Sequence, residues 1–219
     1  MLRDYLSQDF FTILIAVCLI LVVVARYLSN SRFYDFISVI WNDRYLKLYT
    51  KEHKKIDFFN SILLINFMLS AGCFIYFTYK YFNQSTFNTT EFIPLLLLLS
   101  AIVVFVLAKN GLELLMGYIF EISGIIRANL FQKTTYRNIS GLILVVFNIL
   151  LLFSNLDQKI VIYLAISVFF LINISGFFRF LLLYQKLIIP HFFYFLLYLC
   201  ALEIGPYVIL YKVLNDKIV

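Results

Sequence analysis

The sequence predicts an all-α polytopic membrane protein with about six transmembrane helices and two further amphipathic or re-entrant helices on one side of the bilayer. Three observations carry this. The 219 residues are 63% hydrophobic and 14% charged, with a mean hydropathy of +0.93. A soluble domain is nearer half apolar and a quarter charged. Six stretches reach or approach the roughly 20 apolar residues that a crossing needs. A backbone in hydrocarbon must also satisfy its own hydrogen bonds, so each crossing is expected to be a helix. Composition excludes a water-soluble globular domain and a disordered chain. A single integral membrane domain over residues 1–219 is the expectation.

The first span is Phe10–Leu28. Its leader Met1–Asp9 carries Asp4 and Asp9 against only Arg3, and no small-x-small cleavage site follows, so it reads as an uncleaved helix rather than a signal peptide. Phe33–Tyr49 follows, with Phe33, Phe36, Ile37, Ile40, Trp41 and Leu48 at helical spacing and Asp35, Ser38, Asn42 and Asp43 on the other face. That pattern predicts an amphipathic helix lying in the interface. The basic run Lys51, Lys54 and Lys55 comes next, a topology signal and a surface facing anionic lipid or a partner. The second and third spans are Phe58–Phe82 and Phe92–Ala108.

Asn110–Phe131 is neither a loop nor a simple span. Asn110, Glu113, Gly117, Glu121, Gly124 and Ala128 are spaced three or four apart, one helical stripe of small and acidic residues on an otherwise apolar surface. Small residues let another helix approach closely, so the stripe reads as a helix-packing face. Together with the third span this segment is too long for one straight crossing. A break is expected near Asn110-Gly111, followed by an interfacial or re-entrant helix; the alternative is a long, tilted third span. Lys109 and Glu113, at i and i+4, are placed to form an ion pair. The remaining spans are Ile139–Phe153, Ile160–Phe178 and Phe192–Tyr211, and the third and fourth need flanking residues to reach full length.

The distribution of the basic residues sets orientation. Seven Lys and Arg lie between spans one and two, four between three and four, and two between five and six. The opposite side holds Arg3, Lys80, Lys159, Lys212 and Lys217. The bias puts both termini outside the cytoplasm, with outer loops too short for a separate domain.

Glu203 is the residue that asks for chemistry. It lies about twelve residues, or ~18 Å, into the sixth span. A carboxylate there costs ~2.5–3.5 kcal/mol or more, so an intramembrane acid is a functional hypothesis by default. No Lys or Arg shares its depth, which predicts a protonated, hydrogen-bonded carboxyl. Gly205 and Pro206 follow; proline removes an N–H and kinks the helix beside it, and Tyr207 shares the face of Glu203. One reading is a carboxyl that pins a kinked helix to its neighbours. The other is a proton or ion relay. The three cysteines, Cys18, Cys73 and Cys200, fall in apolar runs without metal spacing, and His53 and His191 are the only histidines. No nucleophile elbow, phosphate loop or zinc-protease motif occurs. No enzyme, cofactor, metal or nucleic-acid partner is expected.

Phe192-Phe193-Tyr194-Phe195-Leu196-Leu197-Tyr198-Leu199-Cys200-Ala201-Leu202-Glu203-Ile204-Gly205-Pro206, with Arg32-Phe33 and Asn42-Asp43-Arg44-Tyr45 after the first span, resembles a family of integral inner-membrane proteins of Bacteroidota known as a domain of unknown function. Lys109 also fits. The resemblance covers most of the chain. It implies a bacterial inner membrane and transfers no catalytic residue. Its lineage places type IX secretion or gliding machinery among the settings, by association alone. The expected function is a non-enzymatic subunit or assembly factor of a larger envelope complex, bound to other membrane proteins or to itself. The alternative is a small transporter or proton-conducting protein that uses Glu203.

Overall fold

The computed structural model describes residues 2–42, 44–49, 58–83, 92–119 and 123–188. Among them run α1 (Leu2–Leu28), α2 (Asn30–Ser38), α3 (Arg44–Tyr49), α4 (Phe58–Asn83), α5 (Phe92–Ile119), α6 (Ser123–Phe153) and α7 (Gln158–Ile188), and no described residue is in a strand. Among the described residues five stretches are long and apolar enough to cross a membrane: Phe10–Leu28, Phe58–Phe82, Leu96–Ile119, Ser123–Phe153 and Gln158–Gln185. The first two coincide with the spans drawn from sequence. The expected sixth span, Phe192–Tyr211, lies outside the described residues.

The later helices are longer than the apolar runs that announce them. α5 has 28 residues and α6 and α7 have 31 each. At 1.5 Å per residue these are ~42 and ~46 Å long, against a hydrocarbon core of ~30 Å. A typical tilt of ~20° absorbs only a residue or two. The helices beyond the apolar runs carry Lys109, Arg127, Lys133, Arg137 and Arg179, charges that are tolerated where a helix end passes beyond the hydrocarbon.

α5 passes through Asn110-Gly111 without the expected break. A glycine inside a helix costs ~1 kcal/mol, and opening a backbone hydrogen bond in or near lipid costs more. Asn110–Phe131 is consequently divided: its first part completes α5 and its last part begins α6. The amphipathic segment Phe33–Tyr49 is also two helices, separated by a turn at Val39–Asn42. The Ser38 hydroxyl donates to the Asp35 carbonyl at 2.7 Å, and the Trp41 and Asn42 amides donate to the Ser38 carbonyl at 2.9 and 2.7 Å. The two amide bonds span three and four residues, so they close the last turn at the end of α2. At the other boundary, Asp157 caps α7 by accepting from the Lys159 amide at 3.1 Å.

Packing divides the chain into two units. The first comprises Met1–Val103 and Gln132–Gly176; the second comprises Val104–Phe131 and the chain from Phe177 onward. In the first unit α1 runs antiparallel to α4. The Phe11 ring stacks on Tyr76 at 5.1 Å and meets Phe77 at 4.9 Å, over buried Cys73. At the opposite end of α4, Phe33 and Phe36 of α2 meet Phe59 edge-on at 6.4 and 5.6 Å. α4 and α6 are parallel and α6 and α7 antiparallel, as the side-chain bonds described below require. Of the five spans, α4 and α6 are the most enclosed, each with 56% of its most apolar stretch buried, against 22%, 11% and 22% for α1, α5 and α7. In the second unit Ile125, Ile126, Ala128 and Phe180 form the core, with Met116, Leu130, Leu181 and Tyr184 against it.

Candidate functional site

A set of the described polar side chains gathers between α4, α6 and α7. Asn138 donates to the Asn60 carbonyl at 3.4 Å. One step along, Gly141 meets Phe67 so closely that an added Cβ would stand 2.8 Å from the Phe67 Cα. The Ser70 hydroxyl donates to the Gly141 carbonyl at 3.2 Å, and Asn148 donates to the Ser70 carbonyl at 2.8 Å. Rising numbers on α4 thus meet rising numbers on α6. On α7 the order reverses: Gln132 donates to the Gly176 carbonyl at 2.8 Å and Asn173 to the Ser140 hydroxyl at 3.0 Å. Gly176 is required here, because a Cβ would stand 2.6 Å from the Tyr136 ring. In a membrane, bonds of this kind supply what the hydrophobic effect cannot, since lipid is as apolar as leucine.

One member of this seam does not fit that role. Asn66 is fully buried on α4, one turn before Ser70. Among the described residues neither its amide nitrogen nor its oxygen has a hydrogen-bond partner. The Oδ1 atoms of Asn138 and Asn148 and the Oε1 of Gln132 are likewise buried and unpartnered there. An orphaned buried polar group costs about 1–3 kcal/mol.

A second cluster lies where α2 and α3 meet the start of α4. The Arg32 guanidinium sits over the rings of Tyr49 at 4.5 Å, Phe59 at 5.2 Å and Tyr45 at 5.9 Å. Tyr45 donates to Asn60 Oδ1 at 3.4 Å, which links this cage to the polar seam. The other side of α2 exposes Tyr34, Ile37 and Ile40, and the following turn exposes Trp41 to 80%. Aromatics of this kind seek the membrane–water interface.

The residues singled out from sequence are distributed as follows. Lys109 and Glu113 stand one turn apart on one face of α5, with Glu113 buried. Asn110 and Gly117 are on α5 and Gly124 and Ala128 on α6, so the stripe does not form one helical face. Gly117 faces Ile126, whose Cβ would be 3.2 Å from an added Cβ, while Gly124 is exposed with open space around it. Glu121, the basic run Lys51, Lys54 and Lys55, and the intramembrane group Glu203, Gly205, Pro206 and Tyr207 lie outside the described residues. Among the described residues no three His, Cys, Asp or Glu are grouped to hold a metal ion.

The sequence reading missed Gln132, Asn138, Gly141 and Gly176. A signal was available: Gln132, Thr135, Asn138, Gly141, Val145 and Asn148 recur at steps of three and four. Opening the fourth span at Ile139 cut that stripe in half.

Membrane-spanning helices fastened by an internal asparagine seam define a polytopic all-α membrane protein. The chain belongs to the family described as domain of unknown function (DUF4271), whose profile matches residues 11–214. No curated protein and no solved structure matches it.

Proposed function

We propose that the protein is a non-enzymatic subunit or assembly factor of a larger complex in a bacterial inner membrane, with both termini outside the cytoplasm. One observation carries this reading. The donors of Asn138, Ser70, Asn148, Gln132 and Asn173 are all spent on neighbouring helices, which makes the seam cement for the bundle. The uncovered surface is instead apolar helix flank, most of all on α5, where 11% of the spanning stretch is buried. That flank suits lipid and other membrane helices. The charge bias supports the orientation. Type IX secretion or gliding machinery remains a setting by association of lineage alone.

The test is affinity purification of the tagged protein from native membranes in mild detergent, followed by mass spectrometry. A stoichiometric membrane partner that recurs and is lost in Gly124→Leu supports the reading. A partner-free monomer of unaltered stability overturns it. A second reading, a small transporter using Glu203, draws on the unpartnered Asn66 amide. There Glu203→Gln abolishes transport in a protein that still inserts, whereas a pinning role tolerates Gln and fails with Leu.

A further inference from the structure

We propose that the α4–α6 seam encloses a hydrated site centred on Asn66, built to hold water or another neutral molecule of that size. Asn66 has a donor and an acceptor that are both fully buried and both without a partner among the described residues. Buried polar groups in folded proteins are nearly always satisfied, by protein or by ordered water. Further unpartnered acceptors flank it along the same seam. Asn138 Oδ1 lies toward the Asn60 end, and Asn148 Oδ1 lies beside Ser70, one turn from Asn66. From Asn60 to Asn66 is ~9 Å along the helix and from Asn66 to Ser70 ~6 Å. These are distances that a short file of molecules with ~2.8 Å hydrogen bonds bridges.

The surroundings define the charge of the occupant. α4, α6 and α7 contain no aspartate or glutamate. A basic group stands close by: the Arg137 guanidinium lies 5.7 Å from the ring of Phe67, the neighbour of Asn66. A cation there would find no carboxylate on the described parts of these three helices. An anion would meet three carbonyl oxygens. A neutral molecule that both donates and accepts satisfies Asn66 Nδ2 together with the oxygens of Asn66, Asn138 and Asn148.

The test uses the full chain in lipid vesicles, with Cys18, Cys73 and Cys200 replaced by alanine. Asn66→Cys and Leu63→Cys are compared; Leu63 is an equally buried apolar position on α4. The reagent is methyl methanethiosulfonate, small and uncharged. The cysteine thiolate, which forms where water reaches the sulfur, attacks the reagent's CH3S sulfur, gives a mixed methyl disulfide and expels methanesulfinate. Asn66→Cys should label roughly tenfold or more faster than Leu63→Cys. Equal, slow labelling of the two means that the Asn66 position is dry, and overturns the proposal. A second measurement keeps the native side chain. In asparagine-labelled protein, magnetisation transfer from water should reach one side-chain amide that disappears in Asn66→Leu. No transfer to that amide overturns the proposal even if the cysteine variants fail to fold.

Discussion

Gly141 is the residue on which the α4–α6 contact turns. Its missing Cβ would stand 2.8 Å from the Phe67 backbone, a group that cannot swing aside. Gly141→Ala should therefore lower stability by ~1–3 kcal/mol, the usual cost of overpacking, as a lower melting temperature in detergent. Gly111 has nothing within 4 Å of its added Cβ and lies inside α5. Gly111→Ala in the same assay should be neutral or stabilising by up to ~1 kcal/mol. Asn148→Leu removes a bond to the Ser70 carbonyl and should cost about 0.6–1.7 kcal/mol, measured by denaturant titration in mixed micelles. The sequence places Asn66 and Asn148 within the apolar runs Phe58–Phe82 and Ile139–Phe153. It could not show that one is spent on a backbone carbonyl and the other on nothing described, because that depends on the register between helices 78 residues apart.

At the scale of elements, α2 and α3 are held to α4 through rings and one guanidinium. Cation–π contacts contribute ~0.5–2 kcal/mol each, more when shielded from water. Arg32→Ala should loosen this corner without unfolding the spans. Protease added to the α2–α3 side of membrane vesicles should then cut near residues 39–44 faster than in the parent, with the spans left whole. Trp41 is the chain's only tryptophan, so it reports this corner alone. Its emission should be blue-shifted in bilayers and quenched best by lipids brominated near the headgroup; emission typical of bulk water would contradict an interfacial α2. The apolar period of this segment was legible. Its division into two helices was not, because the turn at Val39–Asn42 leaves no mark in the hydrophobic pattern, which runs on through Ile40 and Trp41. The third and fourth spans were drawn short for a related reason. Charges read as loop residues sit on continuous helix that emerges from the hydrocarbon.

At the scale of the molecule, the all-helical membrane class followed directly from composition, and the first two spans from their uninterrupted apolar runs. The partner-facing stripe needs a different test from the one its spacing suggests. Gly117 contacts Ile126 within the second unit, so Gly117→Leu damages folding before it reaches any partner. Gly124 is exposed and has free space, so Gly124→Leu should leave the melting temperature unchanged and separate association from stability.

The asparagine seam also has a consequence for how the chain is made. The spanning part of α1, residues 10–25, is almost uniformly apolar and can leave the insertion machinery alone. α4 leaves it with the polar side chains of Asn60, Asn66 and Ser70, and residues that bond to Asn60 and Ser70 belong to α6. Asn138 and Asn148 emerge 78 positions after the residues they bond, about 4–16 s at ~5–20 residues per second. During that interval α4 lacks its α6 partners, and α5 must pass first. Biogenesis is thereby given an order: α4 waits beside the translocon until α6 arrives, and a ribosome that stalls between the two leaves a half-built bundle exposed to membrane proteases.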